Sequence, residues 1–376
     1  MLIMRIAGTL LAGLGLALAA NAQTTMVEHF VPTRSIAPSM NGEIAQLYVR
    51  ERIGPAGLPA VLENRVVLFV HGNGTPAEVA FDVPAEGYSW MAYLAEQGFD
   101  TFAMDQTGYG RSTRPYALND RCNLSPADQV ELFGVSCEPS FGQASTSLES
   151  DWQDIDAVVD YIRQSRGVDK VHLVAWSLGG PRAAGYAANH ADKVANMVLL
   201  APAYNPDAPA TAAGINLAGA AMSKQTRQDF IANWDRQVGC SNQYDPDVAT
   251  VIFDDMLASD LVGSTWGPGL RRAPRVANYG WTAELVARTR LPVLTVTGLQ
   301  DKQVSPDSVR AFHETVGTQS KVLVEFACGS HNVMWERNVA TQLFELTAQW
   351  LGGTRVEGMQ TGKITVNENG VMDKED

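Results

Sequence analysis

The sequence predicts an α/β fold, a mostly parallel central sheet with helices on both faces and an inserted helical lid. Three features of the sequence carry that prediction. Apolar runs of strand length recur along the chain, stretches with helical spacing separate them, and the alternation lapses once, between about residues 204 and 285. Strands that alternate with helices favour parallel pairing, because each crossover helix covers one face of the sheet.

Taken in order, Glu43 to Ile53 reads as the first strand, and Arg65 to His71 (RVVLFVH) as a strand buried on both faces, ended at once by Gly72 and Asn73. Phe99 to Met104 is a strand, Ser150 to Ser165 an amphipathic helix, Lys170 to Ala175 a strand, Leu178 to His190 a helix and Val194 to Leu200 a strand. In the lapse, Phe230, Trp234 and Val238, then Val248, Ile252 and Met256, keep helical spacing and suggest a lid. Alternation resumes with a strand at Leu291 to Thr297, a helix at Pro306 to Val316, a strand at Lys321 to Phe326 and a helix from Glu336 to Leu351. The expected organisation is thus a core over residues 23–203, a helical lid over 204–285, the rest of the core over 286–351, and a loosely held polar, acidic tail over 352–376.

Residues 1–22 carry one cation, Arg5, then an apolar run from Ile6 to Ala20, then Ala20-Asn21-Ala22. This pattern predicts a secretory signal peptide cleaved near Ala22 and a periplasmic or secreted product. The run falls short of the ~20 apolar residues that span a bilayer, so no membrane span is expected in the mature form. The chain has 28 Lys and Arg against 41 Asp and Glu, a net charge of -13, which argues against a nucleic-acid partner. Export favours pairing of the four cysteines: Cys122 with Cys137 locally, which leaves Cys240 for Cys328. Cys328 and His331 alone supply too few ligands for zinc, so neither metal nor cofactor is expected.

Ligands of a parallel sheet bind beyond the carboxyl ends of its strands, and chemistry is sought there. After the strand ending at Ala175 comes Trp176-Ser177-Leu178-Gly179-Gly180, a serine flanked by small residues at a strand-to-helix turn. Such a turn lifts the hydroxyl clear of the backbone, beside free helix amides. An ordinary helix-capping serine would look similar, so the other post-strand segments must decide. The glycine turn at His71-Gly72-Asn73-Gly74 would aim the amide of Asn73 at the same edge, where with that of Leu178 it could form an oxyanion hole. Of the six histidines only His331 follows a strand in a short loop, and Asp301, in Gly298-Leu299-Gln300-Asp301, is favoured over Asp207 as its carboxylate.

Across about residues 40–351 the sequence resembles the α/β-hydrolase family. The resemblance rests on HGNG at 71–74, DQTGYGRS at 105–112, AWSLGG at 175–180, GLQD at 298–301 and SHNVMWE at 330–336. It implies the α/β-hydrolase fold, with nucleophile, acid and base in the order Ser177, Asp301, His331. Ala175 stands where the family's elbow has its first glycine. The function expected is an exported serine esterase acting on small-molecule carboxylic esters through an acyl-enzyme. A proline-releasing aminopeptidase of the same fold is the alternative, with Asp254, Asp255 or Asp260 holding a free amine, and a non-catalytic binding protein is the third reading. Trp176 and the lid aromatics Phe230, Trp234, Trp266, Tyr279 and Trp281 are candidates for an apolar acyl pocket.

Overall fold

The computed structural model describes residues 23–267 and 269–375. The expected signal peptide and its cleavage point near Ala22 lie outside the described residues. Among these residues the strands are β1 (Thr25–Arg34), β2 (Ile44–Ile53), β3 (Val66–Val70), β4 (Asp100–Met104), β5 (Thr146–Ser147), β6 (Val171–Trp176), β7 (Val194–Leu200), β8 (Met222–Thr226), β9 (Leu270–Pro274), β10 (Val276–Ala277), β11 (Val293–Gly298), β12 (Lys321–Phe326), β13 (Thr361–Val366) and β14 (Met372–Glu375). The α-helices are α1 (Ala77–Phe81), α2 (Trp90–Glu96), α3 (Pro126–Phe133), α4 (Leu148–Arg166), α5 (Gly179–Asn189), α6 (Arg227–Asp235), α7 (Pro246–Ala258), α8 (Ala283–Arg288), α9 (Pro306–Thr315) and α10 (Ala340–Gly353).

Ten strands form one sheet in the order β1-β2-β4-β3-β6-β7-β11-β12-β13-β14. The run from β4 through β13 is parallel; β1 with β2, β2 with β4, and β13 with β14 are antiparallel. Alternate residues of a strand face opposite sides, so β3 feeds two cores. Val67 and Phe69 join one with Trp90 of α2 and Phe344 of α10; Val66, Leu68 and Val70 join the other with Ile155 of α4 and Ala183 of α5. This explains why RVVLFVH is apolar without alternation. Helix ends follow local chemistry as well: Ser147 and Ser150 form a reciprocal cap at the start of α4, and Gly167, at φ 65°, ends it in the left-handed region.

Three expectations need correction. The segment β1 was not foreseen; it lies at the sheet edge, where Pro32 loses no necessary donor and half-exposed alternation leaves a faint pattern. The inserted segment is not purely helical, because β8 and β9 pair antiparallel in register Met222 to Pro274 beside α6 and α7. Five-residue strands rich in Lys, Gln and Arg carry too little alternation to be read as such. Nor do the described residues of the acidic tail, 352–375, hang free: β13 and β14 extend the sheet, with Ile364 and Val366 fully buried.

Both expected cysteine pairs are bonded, Cys122–Cys137 and Cys240–Cys328, with Cα separations of 5.3 and 5.6 Å. The second links the inserted segment to the loop after β12. No helix among the described residues is long and apolar enough to cross a membrane. The carboxyl ends of β3, β6, β11 and β12 share one edge of the sheet, and the loops bearing Asn73, Ser177, Asp301 and His331 emerge there.

Candidate active site

Ser177 stands between β6 and α5 with φ at 59°, a left-handed conformation that costs a non-glycine residue about 1–2 kcal/mol. The surrounding backbone holds it there. Its amide donates to Leu200 O at 2.9 Å, and its carbonyl accepts from Gly180 at 2.9 Å and Ala203 at 3.0 Å. Glycine is required at two neighbours. A Cβ on Gly72 would stand 2.9 Å from Ser177 Cβ, and one on Gly179 would stand 2.4 Å from Val70 O. Ala175 is accommodated in the turn because Gly179 has no side chain; a Cβ built on Gly179 would lie 3.3 Å from the Ala175 Cβ, a tight contact.

Asp301 follows β11, and His331 follows β12. The two loops nearly touch: a Cβ on Gly298 would lie 2.3 Å from the carbonyl of Gly329, and Gln300 N donates to Gly329 O at 2.8 Å. This contact brings His331 Nδ1 to 2.7 Å from Asp301 Oδ2. The other carboxylate oxygen accepts from the amides of Gln303 at 2.7 Å and Val304 at 2.9 Å. The carboxylate is thereby fully engaged, and Nε2 is left as the free nitrogen of the imidazole. On the far side, Trp176 Nε1 donates to His331 O at 2.8 Å, and the two rings lie 5.3 Å apart.

Ser177 and His331 open onto one cleft of about 400 Å³, lined also by Ser223, Gln225, Phe230 and Arg271 from the segment between β7 and β11. Asn73 lines it as well. The amides of Asn73 and Leu178 have no acceptor among the described residues. The orientation of the Asn73 amide is fixed from below. Arg182, fully buried and paired with Asp151 at 2.7 Å, donates through Nη1 to the carbonyls of His71 and Gly72, both at 3.0 Å. A trans peptide puts N–H opposite C=O, so anchoring Gly72 O turns the Asn73 N–H away from Arg182. His71 completes the anchor. Its Nε2 accepts from Gln106 N, which places the proton on Nδ1, 2.7 Å from Gly72 O, and burial holds its pKa well below the usual imidazole value.

The aromatic candidates divide. Trp176 and Phe230 do line the cleft. The expectation for Trp234, Trp266 and Trp281 is corrected. Trp234 is buried in the inserted segment, stacked on Tyr244 at 4.5 Å, and donates to Glu336 Oε1. Trp266 packs on Phe133 beneath the guanidinium of Arg272. Trp281 is in the core with Tyr204 and Phe312, and Tyr279 bonds Glu149 at the surface. The sequence does not distinguish an aromatic residue that faces a cleft from one that faces its neighbours. Asp254 pairs with Arg227 at the surface, and Asp260 is bound by Arg272, so neither they nor Asp255 line the cleft.

Sequence reasoning missed the residues that position the histidine loop. Glu336, fully buried, accepts from Ser330 N at 2.8 Å and from Trp234 and Gln243, while Gln237 Oε1 accepts from His331 N at 3.3 Å. Burial raises the Glu336 pKa, which the hydrogen bonds from Ser330, Trp234 and Gln243 oppose. The only sequence signal was Glu336 at the end of SHNVMWE.

Residues 65–338 match the family model described as alpha/beta hydrolase fold. The chain belongs to the α/β-hydrolase family. Among solved α/β-hydrolase-like structures, it is similar to a serine hydrolase involved in carbazole degradation, at 16% identity and a TM-score of 0.53, over 87% of this chain and 99% of that one. It is similar also to esterase RhEst1 from Rhodococcus sp. ECU1013, at 15% identity and a TM-score of 0.53, over 86% and 100% of the two chains. A curated relative, the 1-acylglycerol-3-phosphate O-acyltransferase ABHD5 of Sus scrofa, is 31% identical over 106 residues, 27% of this chain. That match spans 30% of the relative's length.

Proposed function

We propose that this α/β-hydrolase is an exported serine hydrolase that cleaves carboxylic esters through an acyl-enzyme. Ser177 Oγ attacks the ester carbonyl carbon as His331 Nε2 takes its proton. Asp301 holds the imidazole in the tautomer that leaves Nε2 free and stabilises the imidazolium. The amides of Asn73 and Leu178 receive the oxyanion. Collapse of the tetrahedral adduct expels the alcohol, which takes the proton from His331. Water then attacks the acyl carbon, gives its proton to the same nitrogen, and releases the acid with Ser177 restored.

One observation carries this reading: a serine held in left-handed geometry shares a cleft with a histidine whose other nitrogen is bound by a buried carboxylate. The structural neighbours include a serine hydrolase and an esterase, which supports it. The two disulfides support export, and the segment over the cleft supports a lid. The test is Ser177→Ala assayed on nitrophenyl acetate and butyrate, with folding followed by circular dichroism. Turnover is expected to fall at least about 10³-fold with an unchanged spectrum; turnover at the wild-type rate would refute the assignment.

A further inference from the structure

Arg271 lies in the cleft with Ser177 and has no anionic partner among the described residues. It belongs to β9, where neighbouring side chains point to opposite faces. Arg272 turns away from the cleft and is paired with Asp260 at 2.6 Å. Arg271 turns into it, and is only 8% exposed. Its Nε and Nη2 both donate to Gln225 Oε1, a neutral acceptor, and among the described residues Nη1 has no acceptor and no carboxylate lies within 4.0 Å. The other charges of the cleft are already engaged. Lys224 pairs with Glu131 at 2.7 Å, and Asp229 accepts from the amide and hydroxyl of Thr226, both at 2.8 Å.

A buried guanidinium bonded only to an amide oxygen is expensive to maintain, and an entering anion would recover much of that cost. Nη1, which has no acceptor among the described residues, is the donor left for an oxygen of a carboxylate, and the bond would be charge-assisted. A phosphate dianion fits less well, since Asp229 shares the cleft and Lys224 is neutralised. The location also bears on catalysis. A Cβ on Gly74 would fall 2.5 Å from both Nη1 and Nη2 and 2.9 Å from Cζ, so the Nη1–Nη2 edge of the guanidinium faces the residue that follows Asn73. Burial brings the Arg271 pKa down to about 10, which leaves it charged at neutral pH.

We propose that Arg271 is a specificity-determining residue that binds a carboxylate borne by the ester substrate, so that the preferred substrates are anionic esters. This rests on the hydrolase reading above and narrows its substrate class. Binding energy from a group remote from the scissile bond serves to orient the reacting carbonyl against Ser177.

The experiment compares kcat/KM for charged esters with analogues in which a primary amide replaces the carboxylate. One arm carries the charge on the acyl side, as monoethyl succinate, glutarate and adipate. The other carries it on the alcohol side, as the acetyl esters of glycolate and 3-hydroxypropionate. Wild type is expected to prefer the charged member about 10- to 100-fold in one arm. Arg271→Gln is expected to lower that ratio at least about 10-fold, and Arg271→Lys, which keeps the charge but loses the fork, to give an intermediate ratio. Calorimetry adds a readout independent of turnover: free glutarate should bind wild type more tightly than it binds Arg271→Gln. Equal kcat/KM for charged and neutral members in both arms, or a ratio untouched in either variant, overturns the proposal while ester hydrolysis stands. Absence of turnover for every ester sinks the hydrolase reading instead, and glutarate binding then decides the carboxylate site by itself, equal binding to wild type and Arg271→Gln overturning it. Should Arg271→Gln not fold, the wild-type ratio and Arg271→Lys still decide.

Discussion

The carboxylate of Asp301 and the imidazole of His331 meet at 2.7 Å although they leave different strands, and both are 3% exposed or less. The close approach of Gly298 to Gly329 makes the meeting possible. Asp301→Asn would present an amide donor to Nδ1 and favour the wrong tautomer. Steady-state kinetics should show kcat lower by about 10³- to 10⁴-fold with little change in KM. Retention of a tenth of the wild-type kcat would contradict an orienting role for Asp301.

Arg182 anchors the turn that carries Asn73, and its buried pair with Asp151 makes it structural as well. Arg182→Met should lower kcat about 100-fold and destabilise by about 3–5 kcal/mol, because Asp151 is left buried and uncompensated. The double variant Arg182→Met with Asp151→Leu separates the two effects. Denaturant unfolding should show stability largely restored, while kcat stays low; recovery of kcat with stability would show that Arg182 acts through folding alone.

The bridge Cys240–Cys328 closes 88 residues of sequence, against 15 for Cys122–Cys137. Loop-closure entropy alone gives about 4–5 kcal/mol for the first and about 3 kcal/mol for the second. It also ties the inserted segment to the loop of His331. Replacing both of its cysteines with Ser should therefore lower Tm more than the same change at Cys122 and Cys137, and should lower kcat too. An equal loss of Tm in the two variants, with kcat intact in both, would contradict the coupling.

Asp154 is fully buried at α4 and accepts from Thr107 N at 2.9 Å; burial pushes its pKa up to about 7 from an ordinary 3.8, against the pull of that hydrogen bond. Between those two values the folded chain binds more protons at this site than the unfolded chain does. Its contribution to stability therefore falls as pH rises from about 4 to about 7 and stays low above that. Asp154→Asn keeps the acceptor and removes the charge. Thermal melts should show the Tm advantage of the variant several degrees larger at pH 8 than at pH 4.5; a difference independent of pH would refute the buried-carboxyl account.

How much was legible follows from how each residue is specified. The placement of Ser177, Asp301 and His331 at one edge of the sheet was legible because each lies in a short segment just past an apolar strand, and strand ends are local features. The position of Asn73 beside the cleft was legible for the same reason. The roles of Trp234 and Trp281 were not, since an aromatic that faces Glu336 or Phe312 looks the same in the sequence as one that faces a cleft. Arg271, Arg272 and Arg275 look alike in the chain. Their difference comes from the partners each meets: Leu118 and Asp260 engage Arg272, carbonyls near Ala218 engage Arg275, and among the described residues Arg271 donates only to the neutral Gln225. The edge strands β1, β13 and β14 were hidden because half-exposed strands alternate polar residues with few apolar ones.

The hydroxyl of residue 177 as the reacting nucleophile is tested most directly by fluorophosphonate treatment of the intact protein, followed by peptide mass spectrometry. A single adduct on Ser177, absent from Ser177→Ala and strongly slowed in His331→Ala, is the predicted result. No adduct at all, or one on another residue while Ser177→Ala still turns over ester, would contradict it.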